Sequence, residues 1–154
     1  MDLTIKLEDA TLNIRVAILL KSKNGYIFEK HKHGYLFTIG GRVKLNESFM
    51  EAVERELKEE MLISDENFDI KLKPRAIIEN FFEIKNNEIE NEYERVHEIC
   101  FVYEAEDVYD GPLREEFFID VPIEDFAKHD IRPTAMVDLI NDKSGDFRSV
   151  VVGK

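Results

Sequence analysis

The first part of the chain alternates short apolar runs with turn residues, a pattern typical of β-strands. Residues 3–9 alternate weakly and favour an edge strand, and the apolar run at 13–22 predicts a buried strand. Asn24-Gly25 is a strong tight-turn signal, so the chain on either side of it, 15–20 and 26–29, is predicted to form a hairpin. A further short strand is predicted at 35–41, ending at Gly40-Gly41.

A helix follows these strands. Ser48 and Glu51 have the spacing of a capping box, which satisfies free backbone amides at a helix start. The helix is predicted to run from near Ser48 to about Met61.

The second half of the chain is again rich in strand patterns. Strands with interposed helices favour a single α/β domain over residues 1–154, a sandwich around a mixed β-sheet. The predicted elements are long strands at 73–84 and 94–106 joined by the polar stretch KNNEIENEY, a short strand at 117–123, a helical turn at 124–129, a helix at 132–142 with Pro133 near its first turn, and a terminal strand or tail at 147–154.

Two carboxylates of the predicted helix fall on its apolar face. With Glu56 placed at 0°, the apolar residues span an arc from about −40° to about +140°. Glu60 falls inside that arc at about +40°, and Glu59 falls at its edge. Glu51 and Glu54 fall on the opposite side, as expected for the solvated face that a charge run usually forms.

Carboxylates directed toward the body of the protein need a compensating charge. A buried, unpaired carboxylate is strongly unfavourable or becomes protonated. Hard divalent cations such as Mg²⁺ prefer oxygen ligands and leave positions open for water and phosphate. The sequence therefore predicts a cation site with Glu56 and Glu60 as first ligands and Glu59 beside them. Gly40-Gly41 permit close backbone approach, which leaves a carbonyl free to face the metal.

Composition narrows the class of ligand. The 154 residues carry a net charge of −12, so nucleic acid polymers, which need Lys and Arg to neutralise their phosphates, are poor candidate partners. An anionic small molecule remains compatible if a metal supplies positive charge. The acidic N-terminus, the short apolar runs and the single Cys100 predict a cytoplasmic protein with no membrane segment.

The stretch from Gly41 to Ile63 resembles the signature of the MutT/Nudix hydrolases. That signature is Gly, five residues, Glu, seven residues, then Arg-Glu-apolar-any-Glu-Glu-any-Gly-apolar. Two departures are visible, since Leu62 replaces the glycine after the helix and Ile39 stands where many members have proline. The matching positions are Gly41, Glu47, Arg55, Glu56, Leu57, Glu59, Glu60 and Ile63.

The resemblance implies a Nudix-type α/β/α sandwich that hydrolyses a nucleoside diphosphate linked to another moiety, using Mg²⁺ or alternatively Mn²⁺. It also implies a role for each matched residue. Glu56, Glu60 and the Gly40 carbonyl are expected to bind the metal, Glu59 is expected to be a ligand or the base, and Gly41, Glu47 and Arg55 are expected to be structural.

Substrate contacts are predicted less sharply. Arg15 and Arg42 flank the expected cleft and are equally compatible with phosphate binding and with plain surface charge. Family members often add an acidic residue from a later loop, for which Glu115 and Glu116 are the best candidates and Glu104 the next. The basic patch at 30–33 is interpreted as a solvated loop rather than a phosphate contact.

Three further side chains have both structural and functional interpretations. Phe81 and Phe82 could stack on a base, but they face opposite sides of a strand, and a core position is favoured for each. Cys100 lies among apolar neighbours and is interpreted as a small buried hydrophobe rather than a nucleophile.

Two other functions are weighed against hydrolysis. A noncatalytic nucleotide- or metabolite-binding domain on the same fold would hold its ligand without turnover, but the complete carboxylate set argues against it. An isomerase on this fold would need a reactive cysteine, which Cys100 does not suggest. The particular substrate is left open, and a homodimer is expected only from the habit of the family.

Overall fold

The computed structural model describes residues 1–85 and 92–154, and its strands form one mixed β-sheet. Two α-helices and two short 3-10 turns accompany the sheet. The elements are β1 (Thr4–Lys6), β2 (Ala10–Lys21), β3 (Gly25–Lys30), β4 (Leu36–Arg42), α1 (Phe49–Met61), a 3-10 turn (Asp65–Asn67), β5 (Leu72–Lys85), β6 (Tyr93–Ala105), β7 (Phe118–Pro122), a second 3-10 turn (Ile123–Lys128), β8 (Ile131–Arg132), α2 (Ala135–Asn141) and β9 (Arg148–Val152).

The long strand β2 lies at the centre of the sheet. The strand order is β7-β3-β4-β2-β6-β5-β9, with β1 added to β2 and β8 added to β4. β2 pairs antiparallel with β4 and parallel with β6, and β5 pairs antiparallel with β6 and parallel with β9. Leu20 pairs with Ile27 across the Asn24-Gly25 turn, which confirms the predicted hairpin.

The two helices cover opposite faces of this sheet. Alternate β2 residues point to opposite sides, so Val16 packs in the cluster that contains Leu57 of α1, whereas Ala17 packs in the cluster that contains Met136 of α2. The chain thus forms the α/β/α sandwich with a mixed sheet that the sequence predicted. No helix in the described ranges is long and apolar enough to cross a bilayer.

One strand boundary differs from the prediction. Gly40 and Gly41 do not end β4, because they pair with Ala17 and Val16 and the strand continues to Arg42. A Cβ atom on Gly40 would lie 2.2 Å from the Val16 carbonyl oxygen. Glycine is required here by close approach of neighbouring strands, not by a turn.

The C-terminal third also departs in detail. The last helix begins at Ala135 rather than at residue 132, because Arg132 belongs to β8, a two-residue strand that the sequence did not predict. The terminal segment is a strand, β9, parallel to β5. Most of the predicted polar loop falls on residues 86–91, which lie outside the described residues.

Candidate active site

The N-terminus of α1 is fixed as the sequence predicted. The Ser48 hydroxyl accepts a hydrogen bond from the Glu51 amide, and the Glu51 carboxylate accepts one from the Ser48 amide at 2.7 Å. Most of the predicted apolar arc is buried, namely Ala52, Val53, Leu57 and Met61, and Glu56 is buried within it with 8% of its surface exposed. The cap thus sets the rotation that directs Glu56 toward the sheet.

Arg55 and Glu47 join α1 to the loop that precedes it. The Arg55 guanidinium donates to the two Glu47 carboxylate oxygens at 2.6 and 3.0 Å and to the Arg42 carbonyl at 3.1 Å. These charged hydrogen bonds lower the pKa of Glu47. The pair therefore braces the loop from Gly41 against the helix that carries the candidate ligands.

Glu56 lies directly over Gly41. A Cβ atom on Gly41 would lie 2.2 Å from Glu56 Oε1, so any side chain there would displace the carboxylate. Arg55 Nη1 also donates to Glu56 Oε1 at 2.5 Å. Part of the positive charge that the sequence analysis assigned to a metal is thus supplied by Arg55.

Glu60 has a partner that the sequence analysis missed. Arg114, in the segment before β7, lies 3.4 Å from the Glu60 carboxylate and donates to the Glu60 carbonyl at 2.8 Å. The guanidinium lies near the rings of Phe117 and Phe118, at 5.1 and 5.5 Å from their centres. Burial raises the pKa of Glu60, and the neighbouring Glu56 charge adds to the effect while Arg114 opposes it.

Glu29 is a third carboxylate at this place, and it was also missed. Burial raises its pKa to about 7, with further upward contributions from the Glu60 and Glu56 charges. A sequence signal did exist, because Glu29 is two residues after Ile27 and so shares the sheet face that α1 covers. Glutamates of β3 and α1 therefore converge within electrostatic range.

The converging carboxylates have the chemistry of a divalent cation site. Carboxylate oxygens suit Mg²⁺ and similar hard cations, and burial raises the pKa values of Glu29 and Glu60, with a further rise from the neighbouring carboxylates. Glu59 lies at the edge with 55% of its side chain exposed, 3.5 Å from Arg55. Among the described residues, however, no three acidic, His or Cys side chains are already arranged to hold a metal. Binding of a cation would therefore require the arginine-bound carboxylates to reorient.

A cleft of about 650 Å³ opens on the other face of the sheet, under the N-terminus of α2. Arg15 lines this cleft and connects it with the glutamates, since its charge acts on Glu29 and its Nη1 lies 3.7 Å from a Glu98 oxygen. The polar residues of the cleft include Thr38, Asn80, Glu98, Arg132 and Thr134.

Cys100 forms part of the cleft wall. It is buried, with 4% of its surface exposed, and burial raises the pKa of its thiol to about 12. A thiol in this state is not a nucleophile at neutral pH, in agreement with the expectation from sequence.

The other predicted substrate residues lie on the surface. Arg42 is exposed and 4.0 Å from an Asp2 oxygen. Glu115 and Glu116 are exposed, and the Glu115 carbonyl accepts a hydrogen bond from Lys30 at 2.5 Å. Their roles stay predictions.

The two phenylalanines of β5 face opposite sides as predicted, but neither belongs to the hydrophobic core clusters. Phe81 stacks on His97 with ring centres 4.2 Å apart. Phe82 borders the cleft and is 37% exposed.

Comparisons with known proteins agree with this architecture. The NUDIX domain family model matches residues 11–138. Structural relatives include the MutT protein of Methanosarcina mazei Go1, with TM-score 0.55, 22% identity and coverage of 88% of this chain and 94% of that chain. The C. elegans Ap4A hydrolase follows with TM-score 0.53, 17% identity and coverage of 86% and 96%. The E. coli dihydroneopterin triphosphate pyrophosphohydrolase has TM-score 0.53, 13% identity and coverage of 84% and 93%. No curated protein sequence matches the chain significantly.

Proposed function

The chain belongs to the NUDIX domain family and is a hydrolase of diphosphate bonds, and on that premise we propose that it cleaves a nucleoside diphosphate linked to another moiety, with Mg²⁺ as its metal. The structural relatives named for Ap4A and for a pterin triphosphate support a small phosphorylated substrate of this kind. Mn²⁺ is a possible substitute, since it accepts the same oxygen ligands.

One observation carries the proposal. The Glu56 carboxylate lies over Gly41, the Glu56 and Glu60 charges both act on Glu29, and Arg15, whose charge also acts on Glu29, lines a cleft large enough for a nucleoside. A diphosphate at the glutamates and a nucleoside in the cleft would therefore have Arg15 between them. This arrangement supports a substrate whose diphosphate lies at the glutamates and whose nucleoside lies toward the cleft.

The residues of the site would each have a separate role in hydrolysis. Glu56 and Glu60, with Glu59 and the Gly40 carbonyl, would hold the metal, which when bound offsets phosphate charge and lowers the pKa of coordinated water. Glu59, as the most exposed of the three glutamates, would accept a proton from the attacking water. Arg15 and Arg114 would bind phosphate oxygens and keep the diphosphate in line for attack. Glu47 and Arg55 would hold α1 in position against β4, the strand that contains Gly40 and Gly41.

Several accompanying features are also proposals. Residues 1–154 are taken as one domain, a reducing cytoplasm as the compartment, and a homodimer as a possible assembly. Glu115 and Glu116 are kept as candidates for a further acidic contact from the segment after β6.

The test is product release from a panel of oxidised dNTPs, ADP-ribose, dinucleoside polyphosphates and nucleotide sugars, with Mg²⁺ and with EDTA. Glu60→Gln removes one candidate ligand at nearly constant volume and should lower kcat by at least about a hundredfold. Glu54→Gln is the matched control, because Glu54 lies on the solvated face of the same helix, 3.8 Å from Lys58. Its activity should equal that of the wild type.

Either of two results would contradict the proposal. Cleavage that persists in EDTA would remove the metal from the mechanism. Nucleotide binding without cleavage of any compound would instead favour a noncatalytic binding domain on the same fold.

A further inference from the structure

Two polar side chains lie next to each other in the floor of the cleft. Asn80 of β5 and Glu98 of β6 are direct partners in the antiparallel register, and both line the cleft. Side chains of directly opposed residues have Cβ atoms about 4.5–5.5 Å apart on one sheet face. The flanking floor residues Ile78 and Cys100 are apolar, so the amide and the carboxylate form a polar pair within an apolar part of the cleft floor.

Glu98 is held in this place by Arg15. Its side chain is 13% exposed, and the Arg15 Nη1 atom lies 3.7 Å from one of its oxygens. The Arg15 Nε atom is buried without a hydrogen-bond partner among the described residues. The cleft lining therefore combines acceptor oxygens of Glu98, an unpartnered donor of Arg15 and the side-chain amide of Asn80.

A carboxylate in a base pocket discriminates between bases because it accepts hydrogen bonds and cannot donate them. An ionised carboxylate offers only acceptors, so a base that bonds both of its oxygens must supply two adjacent N–H donors. The guanine edge does so through N1–H and its 2-amino group. Adenine and cytosine place a ring nitrogen lone pair beside their amino group, and uracil places a carbonyl on each side of N3–H. Each of these three would leave a lone pair against a carboxylate oxygen, which is unfavourable in a desolvated site.

We propose that Glu98 makes this enzyme selective for a base with the 2-amino-4-oxopyrimidine edge found in guanine. The Glu98 carboxylate accepts from the ring N–H and the 2-amino group, and the Asn80 amide donates to the neighbouring oxo group. Phe82, on the same strand face two residues after Asn80, offers a ring for stacking. The inference rests on the proposed function, because it concerns the nucleoside end of the same substrate. Pterins carry the same hydrogen-bonding edge, so a guanine nucleotide and a pterin both present the groups that Glu98 would recognise.

The first experiment measures equilibrium binding and needs no turnover. GMP, IMP and AMP are titrated calorimetrically into the wild-type protein with Mg²⁺. GMP should bind at least about tenfold more tightly than AMP, and IMP, which lacks only the 2-amino group, should be weaker than GMP. Affinities for the three nucleotides within threefold of one another would overturn the proposal.

The second experiment assigns the selectivity to one side chain. Glu98→Gln replaces an acceptor oxygen with a donor at nearly constant volume and should reduce the GMP-to-AMP affinity ratio by about tenfold. Glu79→Gln is the matched control, since Glu79 precedes Asn80 on the opposite face and pairs with His97 at 3.8 Å. An unchanged ratio in Glu98→Gln, with an unchanged thermal unfolding midpoint, would exclude Glu98 as the selecting group.

Turnover separates this inference from the proposed function. If GTP, ATP, UTP and neopterin triphosphate were all cleaved with similar kcat/KM, the hydrolase would stand and the base selectivity would fall. If GTP or neopterin triphosphate exceeded ATP and UTP by at least about tenfold, the selectivity would be supported, and the better of the two would identify the source of the edge.

Discussion

At the scale of single residues, the candidate site is a balance between glutamates and arginines. Arg55 offsets Glu56 and Arg114 offsets Glu60, each through a direct contact. For Glu29, burial raises the pKa most, the Glu60 and Glu56 charges add to the rise, and the Arg15 and Arg114 charges oppose it. The raised pKa of Glu29 therefore reflects burial first and the negative charge of the neighbouring glutamates second.

Glu29→Gln should stabilise the metal-free protein at high pH. Burial and the Glu60 charge raise the folded-state pKa of Glu29 from 4.5 to about 7. The folded state thus binds more protons than the unfolded state between these values, so the stability of the wild type falls as pH rises through about 7. The variant lacks this loss and should be more stable at pH 8 by about 1–2 kcal/mol, a figure reduced for solvent screening.

Urea unfolding in EDTA at pH 8 and pH 4.5 measures this effect. The difference in unfolding free energy between Glu29→Gln and the wild type should be present at pH 8 and nearly absent at pH 4.5. Added Mg²⁺ should shrink the difference at pH 8. A difference that is equal at both pH values would show that the charge of Glu29 is not its cause.

The glutamates of α1 could be identified from the sequence because the periodicity of one helix shows which side chains share its apolar face. The same reasoning missed Arg114, because its contact with Glu60 joins residues 54 positions apart and depends on how the segment before β7 packs. Glu29 was detectable by strand alternation with Ile27, but its neighbourhood depends on the pairing of β3 with β4 and β7. The sequence thus indicated the candidate ligands, whereas the arginines that contact them could be identified only from the tertiary structure.

At the scale of elements, α1 is well capped at its N-terminus but has a strained backbone conformation at its C-terminus. Its capping box was readable from Ser48 and Glu51. Its C-terminal cap is Leu62, in the left-handed conformation at φ 54° and ψ 41°, where the family signature has glycine. Leu62 is 68% exposed, so little burial of its side chain compensates for the backbone cost.

Leu62→Gly should therefore stabilise the protein by about 0.5–1 kcal/mol. The relief of left-handed strain exceeds the extra entropy that glycine gives to the unfolded chain. Leu62→Ala is the control, because it removes the exposed side chain and keeps the Cβ atom that causes the strain. Thermal unfolding should show a higher midpoint for the glycine variant and little change for the alanine variant. Equal midpoints for the two variants would place the strain elsewhere.

The elements that the sequence predicted poorly lack a repeating pattern. β8 has two residues, too few to show alternation, and it exists only because β4 offers an edge. Gly40 and Gly41 were interpreted as a stop, although close strand approach explains them better. Long elements with a clear period were correct because their pattern reflects burial over many residues.

At the scale of the whole molecule, one buried arginine ties the C-terminal segment to the sheet. Arg75 of β5 is 1% exposed, and it donates to the carbonyls of Leu139, Asp142 and Asp146. Its guanidinium also lies 3.6 Å from a Glu104 oxygen in β6. These contacts fix the end of α2, the helix whose first turn covers the cleft. The first turn of α2, here called the cleft cover, is thus positioned through the contacts that Arg75 makes with the other end of the same helix.

Arg75→Met should destabilise the protein by about 3 kcal/mol or more, because it leaves three carbonyls and Glu104 without their shared donor. Lys21 and Lys73, at 3.3 and 3.6 Å from Glu104, keep that carboxylate partly compensated, so the loss should fall mainly on α2. Hydrogen exchange should accordingly quicken in α2 far more than in α1. Arg75→Lys keeps the charge but cannot reach all the carbonyls at once, and it should give an intermediate loss. Uniform acceleration across both helices would mean that Arg75 supports the core as a whole and does not specifically anchor the cleft cover.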